Sequence, residues 1–336
     1  MGKAKEADGP IKKSRRLAEE HTGAFTNSAI AMRQSSPALV KLSCLLYKRF
    51  RRASLALYRR NVPSSLLNVV LYPTYLFQFV AAHHRLPIRP ARLFNDFLFQ
   101  VKSGSELESS LRRRVSDKEY CKLYTEERLG PGTTPSTTHV LRTEGEVERY
   151  RPPAFPCVIK PTNSSGRVII ARSEDEYMAA LPKIKNWFHE DYFLSDLEKN
   201  YATLERKVIF EEYIDDAFSL EGSVHCLRGE PKLVSLIDRY TKARQTFDID
   251  GTPLGVSLFY PLQEFEPASW DFLPGLLGQS RILSAEFTYI RVDFFTDTKR
   301  VLFGELTNLP AGGIGRFYPA DGEKIFSEVF FRPVRR

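Results

Sequence analysis

The alternation of apolar and polar residues divides the chain into a helical first part and a strand-rich second part. Across Ala38–Asn61, apolar residues recur at spacings of three and four and basic residues repeat on the other side, which predicts an amphipathic helix. Residues 62–114 continue in a mostly helical pattern. Beyond the loop at 130–137, β-branched and aromatic runs predominate, with helical intervals at about 174–199 and again after residue 270. Strands mixed with helices predict an α+β body.

Charge is placed unevenly along the chain. The formal net charge is +8, but residues 1–60 hold 14 Lys and Arg against 4 Asp and Glu, so the remaining 276 residues are close to neutral. A neutral body argues against nucleic-acid binding. Four regions are expected: a disordered basic tail (1–37), a helical N-terminal region (38–114), the main domain (115–320) and a C-terminal tail (321–336).

The apolar run at 66–82 raises the question of a membrane. It has 17 residues and includes Asn68, Pro73 and Gln78, whereas a spanning helix needs about 20 mostly apolar residues. We favour a buried helix that starts around Pro73, with a transmembrane helix as the alternative. The basic helix at 38–60 is compatible with two arrangements, contact with an anionic membrane surface or packing on its own domain.

The same features bear on localisation. No secretory signal is evident, and four widely spaced cysteines without a CxxC pair are typical of a reducing compartment. We therefore expect a cytoplasmic protein, with peripheral contact at the inner face of the membrane as an option.

Two acidic residues interrupt the last two apolar strands. In the hairpin formed by YIRVDFF (289–295) and FGELT (303–307), a three-residue loop at 298–300 would set Asp293 opposite Glu305, with Phe303 on the face of Glu305. Like charges in that position destabilise a sheet, so a cation is needed between them. Arg291 is one candidate, and a divalent cation completed by phosphate oxygens fits the ligand preference of Mg²⁺. The alternative is a shifted register that leaves one carboxylate in solvent.

Two further segments carry polar groups at strand ends. CVIKPTNSSG (157–166) ends a strand at Lys160 and turns through small residues, whose backbone N–H groups can approach a phosphate. It lacks the spacing of a Walker loop. KVIFEEYI (207–214) runs an apolar strand into two carboxylates, a pattern able to offer backbone groups to an adenine edge.

Taken in order, these segments resemble the ATP-grasp superfamily, in its TupA-like branch named for teichuronopeptide biosynthesis. The resemblance covers about 90–316. It begins with RLFNDFLFQ (92–100) and SDKEYCKLY (116–124), continues through the two segments above and HCLRGEPKLVSLIDR (225–239), and ends with RVDFF…FGELTNLPAGG.

The resemblance implies an ATP-grasp fold, in which two α/β lobes clasp ATP, preceded here by the helical region, so that 115–320 would be the ATP-grasp domain. It also implies roles for individual side chains. Lys118 and Lys160 would reach the α- and β-phosphates, under a cover formed by Ser164, Ser165 and Gly166. Glu211, Glu212, Tyr213 and Ile214 would line the adenine pocket, with Glu221 at the ribose. Arg239 and Arg291, with Lys160, would act in catalysis, while Asp293, Glu305 and Asn308 would hold Mg²⁺, with Thr307 as another possible ligand.

Two departures from the family pattern bear on these roles. Ligase relatives place a metal-binding Asn two residues after the Glu, where this chain has Thr307 and only then Asn308. The branch often has Asp-Tyr-Lys where this chain has Glu221-Gly222-Ser223. Both departures concern the third metal ligand and the affinity for nucleotide.

The activity that the resemblance implies is an ATP- and Mg²⁺-dependent joining of a carboxylate to an amine or thiol through an acylphosphate, in the synthesis or modification of a cell-surface polysaccharide. Its partners would be ATP and a glycan precursor that carries a carboxylate or sugar. Two alternatives stay open, an ATP-grasp kinase that phosphorylates a sugar and a nucleotide-binding accessory protein without catalysis.

Overall fold

The computed structural model describes residues 37–60, 62–214 and 217–333. The expected basic tail lies outside these residues, except for Pro37, where the first helix begins. The helices are α1 (Pro37–Arg59), α2 (Ser64–His83), α3 (Phe94–Ser103), α4 (Ser110–Ser116), α5 (Lys118–Leu129), α6 (Glu174–Trp187), α7 (Phe193–Asp196), α8 (Leu273–Ser284) and α9 (Gly322–Phe330). The strands are β1 (Thr137–Leu141), β2 (Cys157–Pro161), β3 (Ile169–Ala171), β4 (Val208–Glu212), β5 (Leu220–Leu227), β6 (Glu230–Asp238), β7 (Arg244–Asp248), β8 (Pro253–Leu258), β9 (Tyr289–Thr296), β10 (Val301–Thr307) and β11 (Phe317–Tyr318).

The strands form two antiparallel sheets. The smaller sheet has the order β1-β4-β2-β3, and the larger has the order β10-β9-β5-β6-β7-β8-β11. One face of the smaller sheet is covered by α6, whose Tyr177, Ile184 and Trp187 pack with buried strand residues such as Ile159 and Phe210. The predicted α+β class and the helical N-terminal region are confirmed.

The two faces of the larger sheet are covered to different extents. On one face, α8 contributes Leu276 and Leu283 to a core with Val224, Val292 and other strand residues. On the other face, aromatic side chains of α3 and α9, including Phe94, Phe326 and Phe330, pack on Tyr289 and its neighbours. The polar residues of that second face lie beyond these helices and line a cavity.

Helix α2 starts nine residues earlier than the sequence predicts, so the expected start around Pro73 is wrong. Leu67 and Leu71, on the first half of the helix, are buried with Tyr75 and Phe79. Tertiary packing thus sustains a helix on both sides of a proline that removes one backbone donor. In the described part of the chain, α2 is the one helix long and apolar enough to cross a membrane. Within its most apolar stretch, 28% is buried inside the protein.

Helix α1 packs on the body of the protein with only part of its apolar stripe. Phe50 and Leu57 pack inward, but Leu42 is 52% exposed and Ala53 is also exposed. Arg51 points inward instead, and its guanidinium donates to the carbonyl of Leu194.

The final hairpin pairs Asp293 with Glu305, although the route differs from the prediction. Val301 pairs with Thr296, so the loop has four residues rather than three, and a β-bulge at Gly304 then shifts the register by one. The two differences cancel at Glu305. The bulge also breaks the alternation, so Phe303 is buried in the core with Leu306. The predicted placement of Phe303 on the face of Glu305 is therefore wrong.

The end of the chain is more structured than a tail. Within 321–336, α9 buries Phe326 and Phe330 against the larger sheet, and its Ser327 hydroxyl accepts a hydrogen bond from the backbone N–H of Phe94 at 2.9 Å. These residues therefore belong to the core of the larger sheet. The other region boundaries stay predictions.

Gly304 is the position where the hairpin is most sensitive to an added side chain. A Cβ there would lie 3.1 Å from the carbonyl oxygen of Asp293 and 3.3 Å from the ring of Phe295. We expect Gly304→Ala to lower the free energy of unfolding by about 1–2 kcal/mol in urea titrations, because the backbone has to move. Gly278→Ala in α8 is the matched control, since nothing lies within 4 Å of its Cβ position. Equal stability of Gly304→Ala and wild type would contradict this account of the bulge.

Candidate functional site

The uncovered end of the larger sheet forms the floor of a cavity of about 360 Å³. Register places a polar row across it, in which Asp293, Ser223, Ser235 and Thr246 follow Glu305 on successive strands. Lys160 of the smaller sheet reaches the same cavity. Side chains of both sheets therefore meet around one space.

Asp293 is held by hydrogen bonds on both of its carboxylate oxygens. Arg291 Nε donates to Oδ1 and Arg291 Nη2 donates to Oδ2, each at 2.7 Å. The Ser223 hydroxyl donates to Oδ1 at 2.6 Å. The Thr307 hydroxyl lies 2.8 Å from Asp293 Oδ2 and 3.3 Å from Glu305 Oε1, so it sits between the two acids. Arg291 thus supplies the positive charge that the opposed carboxylates require.

Asn308 does not join this group. It is buried, its Oδ1 accepts from Arg112 Nη1 at 2.7 Å and its Nδ2 donates to the Ser116 hydroxyl at 3.1 Å. The residue two positions after the glutamate, Thr307, is the one that contacts both acids. Among the described residues, no cluster of three or more His, Cys, Asp and Glu side chains is arranged to hold a metal ion.

A second cavity, of about 290 Å³, adjoins the first, and Lys160, Gly304 and Glu305 line both. Glu211 lines this second cavity and accepts from Lys160 Nζ at 2.6 Å and from Lys122 Nζ at 2.9 Å. Burial alone would raise the pKa of Glu211, but the charges and hydrogen bonds of the two lysines outweigh it and hold the pKa below 4.5. The carboxylate is therefore ionised.

The small-residue turn between β2 and β3 lies beside this second cavity. Gly166 has a φ of +69° and faces open space, and it lines the cavity. The hydroxyl of Ser164 is buried and has no hydrogen-bond partner among the described residues, while the Ser164 carbonyl accepts from Lys118 Nζ. Ser165 lies within hydrogen-bonding reach of Tyr201. Burial lowers the pKa of Lys118, and the charge of Glu305 opposes that shift.

The other residues expected at a nucleotide lie farther apart. Glu212 is exposed, and Tyr213 and Ile214 are half-buried in the segment that connects the two sheets. None of these three residues lines either cavity. Glu221 lines the first cavity rather than the second. Arg239 lines neither cavity; its Nη1 donates to the Phe218 carbonyl at 2.6 Å and its Nε is 3.8 Å from Glu221. The structure therefore does not bring Arg239 to the two acids.

Lys122 and Ser223 are among the groups at the site that sequence reasoning missed. Lys122 is one helical turn after Lys118, and this i, i+4 spacing along α5 was a usable signal. The sequence analysis mentioned Ser223 only as the position where the family branch often has a lysine, although the Ser223 hydroxyl contacts Asp293. No local signal identifies that contact, because it depends on the pairing of β5 with β9.

The Lys122–Glu211–Lys160 cluster leads to a prediction about pH. We expect Glu211→Gln to lower the free energy of unfolding at pH 7 by about 3 kcal/mol, because the buried ammonium group of Lys122 and the half-buried one of Lys160 lose their partner. The pKa of Glu211 is lowered, so its stabilisation is complete above pH 4.5 and is lost as the pH falls through the lower value of the folded state. Urea titrations at falling pH should therefore narrow the gap between variant and wild type. Exposed Glu212→Gln is the control, and a gap that stays constant toward pH 3.5 would contradict the assignment.

Comparisons with known proteins bear on this site. The family model described as "TupA-like ATPgrasp" matches residues 108–331. No curated protein matches the chain.

Solved structures that the chain resembles include two D-alanine–D-alanine ligases. That from Bacillus anthracis, complexed with ATP, is 17% identical, covers 59% of this chain and 55% of its own, and has a TM-score of 0.37. That from Helicobacter pylori is 15% identical, covers 66% and 60%, and has a TM-score of 0.39. An L-amino acid ligase from Bacillus licheniformis is 14% identical, covers 78% and 61%, and has a TM-score of 0.40.

The chain thus spans 55–61% of the length of these ligases. The family match covers two thirds of the chain and includes both sheets and both cavities. This chain is a member of the TupA-like ATP-grasp family.

Proposed function

We propose that this protein is an ATP- and Mg²⁺-dependent ligase that activates a carboxylate as an acylphosphate and transfers it to an amine or thiol. One observation carries the proposal. Asp293, Glu305, Arg291 and Lys160 converge on a cavity that continues, past Lys160 and Glu305, into a second cavity lined by lysines.

The second cavity fits the nucleotide side of this reaction. Lys118, Lys122 and Lys160 give it a cationic lining, and Gly166 leaves room for backbone N–H groups to approach a phosphate. The unpartnered hydroxyl of Ser164 lies in the same turn, and a phosphate oxygen would supply the acceptor that it lacks. Leu306 adds an apolar surface to the lining.

The donor set near Glu305 fits Mg²⁺. Asp293, Glu305 and Thr307 present oxygen atoms, the ligand type that Mg²⁺ takes, usually with one or two carboxylates and substrate phosphates. When bound, the ion would neutralise charge on the β- and γ-phosphates. Because Mg²⁺ usually keeps several waters and takes substrate phosphate oxygens beside one or two carboxylates, the site would need no third acidic side chain.

The chemistry then depends on positioning and charge. In the first step, an oxygen of the acceptor carboxylate attacks the γ-phosphorus and ADP leaves. In the second, an amine or thiol attacks the carbonyl carbon and inorganic phosphate leaves. Lys160 and Arg291 border the space where the phosphoryl group would move, so their charges would stabilise its oxygens in the transition state.

The family resemblance supports a cell-surface glycan precursor as the acceptor, and the widely spaced cysteines support a cytoplasmic location. A sugar kinase and a nucleotide-binding accessory protein are the alternatives. Incubation with ATP, Mg²⁺, candidate carboxylates and hydroxylamine separates the three, because a ligase yields ADP and a hydroxamate, a kinase yields a phosphosugar, and an accessory protein yields neither while it still binds nucleotide.

The acidic pair gives the direct test of this proposal. We expect Asp293→Asn and Glu305→Gln each to reduce kcat/KM for hydroxamate formation by about 100-fold or more, because each removes charge that positions the cation at the phosphates. Glu328→Gln, an exposed carboxylate on α9, is the control. Wild-type turnover in both Asp293→Asn and Glu305→Gln would show that the site is wrongly assigned.

We propose in addition that α1 contacts an anionic membrane surface. Leu42 and Leu45 are about half exposed, and Lys48, Arg52 and Arg59 are exposed on the same helix. Apolar insertion combined with basic charge is the usual chemistry of peripheral helices.

Vesicle cosedimentation tests this contact. Each basic residue near an anionic surface contributes about 1 kcal/mol, so the double variant Lys48→Glu, Arg52→Glu should bind phosphatidylserine vesicles at least tenfold more weakly than wild type. Arg149→Glu, at an exposed position between β1 and β2, is the control. Binding that is unaffected by the double variant, or equal on neutral vesicles, would contradict the proposal.

A further inference from the structure

Among the described residues, three cations line the larger cavity, and two of them are paired with carboxylates. Lys160 pairs with Glu211, and Arg291 pairs with Asp293. The third is Arg244 on β7. Within residues 37–60, 62–214 and 217–333, Arg244 makes no ion pair with a carboxylate. Glu221, which lines the same cavity, lies 3.8 Å from Arg239, and its charge acts on Arg244 only from beyond ion-pair distance.

Arg244 is also held in place. Its backbone exchanges two hydrogen bonds of 3.2 Å with Gln263. Its guanidinium lies 3.8 Å from the centre of the Tyr260 ring, and both side chains are half-buried. A guanidinium that is stacked on an aromatic ring keeps the edge of its planar fork available for an anion. The side chain is thus oriented before any ligand arrives.

The register gives the position of Arg244 relative to the acidic pair. Asp293, Ser223, Ser235 and Thr246 lie on four adjacent strands in one row. At about 4.8 Å per strand, Thr246 is about 14 Å from Asp293, and Arg244 is two residues along the same strand. The hydroxyls of Ser235 and Thr246 are 3.0 Å apart and lie between Asp293 and Arg244.

We propose that Arg244, stacked on Tyr260, anchors an anionic group of the acceptor, a carboxylate or a phosphate monoester, at the end of the cavity opposite the phosphoryl-transfer site. This inference rests on the proposed function, because it assigns the reacting carboxylate to the end near Asp293. The acceptor is then an elongated molecule with two anionic ends. A simple amino acid with one carboxylate would leave Arg244 without a partner.

Binding to the complex with AMPPNP and Mg²⁺ tests the anchor without requiring turnover. The probes are straight-chain dicarboxylates from succinate to suberate, ω-phosphonocarboxylates of the same lengths, and monocarboxylates of equal length. Titration calorimetry or ligand-observed NMR gives the dissociation constants for wild type, Arg244→Gln, Arg244→Lys and the control Arg281→Gln, an exposed arginine on α8.

Loss of a charge-assisted, two-pronged contact should weaken the best dianion by at least tenfold in Arg244→Gln. Arg244→Lys should show an intermediate loss, since it keeps the charge without the fork. Monocarboxylates and AMPPNP should bind all four proteins equally, and AMPPNP binding also verifies that each variant is folded. The relative affinities of carboxylate and phosphonate probes identify the anionic group.

The anchor is overturned if no dianion binds wild type more tightly than its monocarboxylate, or if Arg244→Gln binds dianions as wild type does. Hydroxamate formation is measured on the same proteins. If wild type forms no hydroxamate but Arg244→Gln loses dianion binding, the ligase proposal fails and the anchor stands. If hydroxamate forms from mono- and dicarboxylates alike in Arg244→Gln and wild type, the anchor fails and the ligase proposal stands.

Discussion

The structure depends on how two opposed carboxylates are accommodated on neighbouring strands. Asp293 and Glu305 lie at paired positions of β9 and β10, where like charges destabilise a sheet. The fork of Arg291 and the hydroxyl of Thr307 offset that repulsion. The arrangement holds the two acids on the wall of one cavity, with Arg291 and Thr307 beside them.

Partial coverage of the larger sheet turns this pair into a site. Aromatic side chains from α3 and α9 bury the end of the face around Tyr289. Farther along the same strands, the floor consists of hydroxyls and charged groups that line the cavity. The smaller sheet closes the space with Lys160, which Glu211 holds from the adjacent strand. The apolar core and the polar cavity are therefore two ends of one sheet face.

Local patterns predicted much of this arrangement, and their failures have physical causes. The helical first part, the α+β class and the pairing of Asp293 with Glu305 follow from periodicity and turn spacing. The four-residue loop and the bulge at Gly304 compensated each other, so the pairing was right although Phe303 was placed on the wrong face. The inward turn of Arg51 and the early start of α2 reflect tertiary packing, which overrides spacing within a single helix.

Long-range register accounts for what the sequence did not reveal. Ser223 meets Asp293 only because β5 pairs with β9, and Arg244 enters the cavity only because β6 carries β7 to the far side of the sheet. Asn308 illustrates the opposite case, in which a residue one position beyond the family pattern is directed into the protein interior toward Arg112 and Ser116. Neither outcome is encoded in a short window of sequence.

The central claim is that Asp293 and Glu305 bind one magnesium ion beneath a triphosphate. A crystal structure with AMPPNP and Mg²⁺ tests it most directly. The account predicts a metal about 2.1 Å from an oxygen of each carboxylate, with phosphate oxygens in its coordination shell and Lys160 beside the nucleotide. A metal bound elsewhere, with Asp293 still paired only with Arg291 and Glu305 without contact to metal or phosphate, would contradict it.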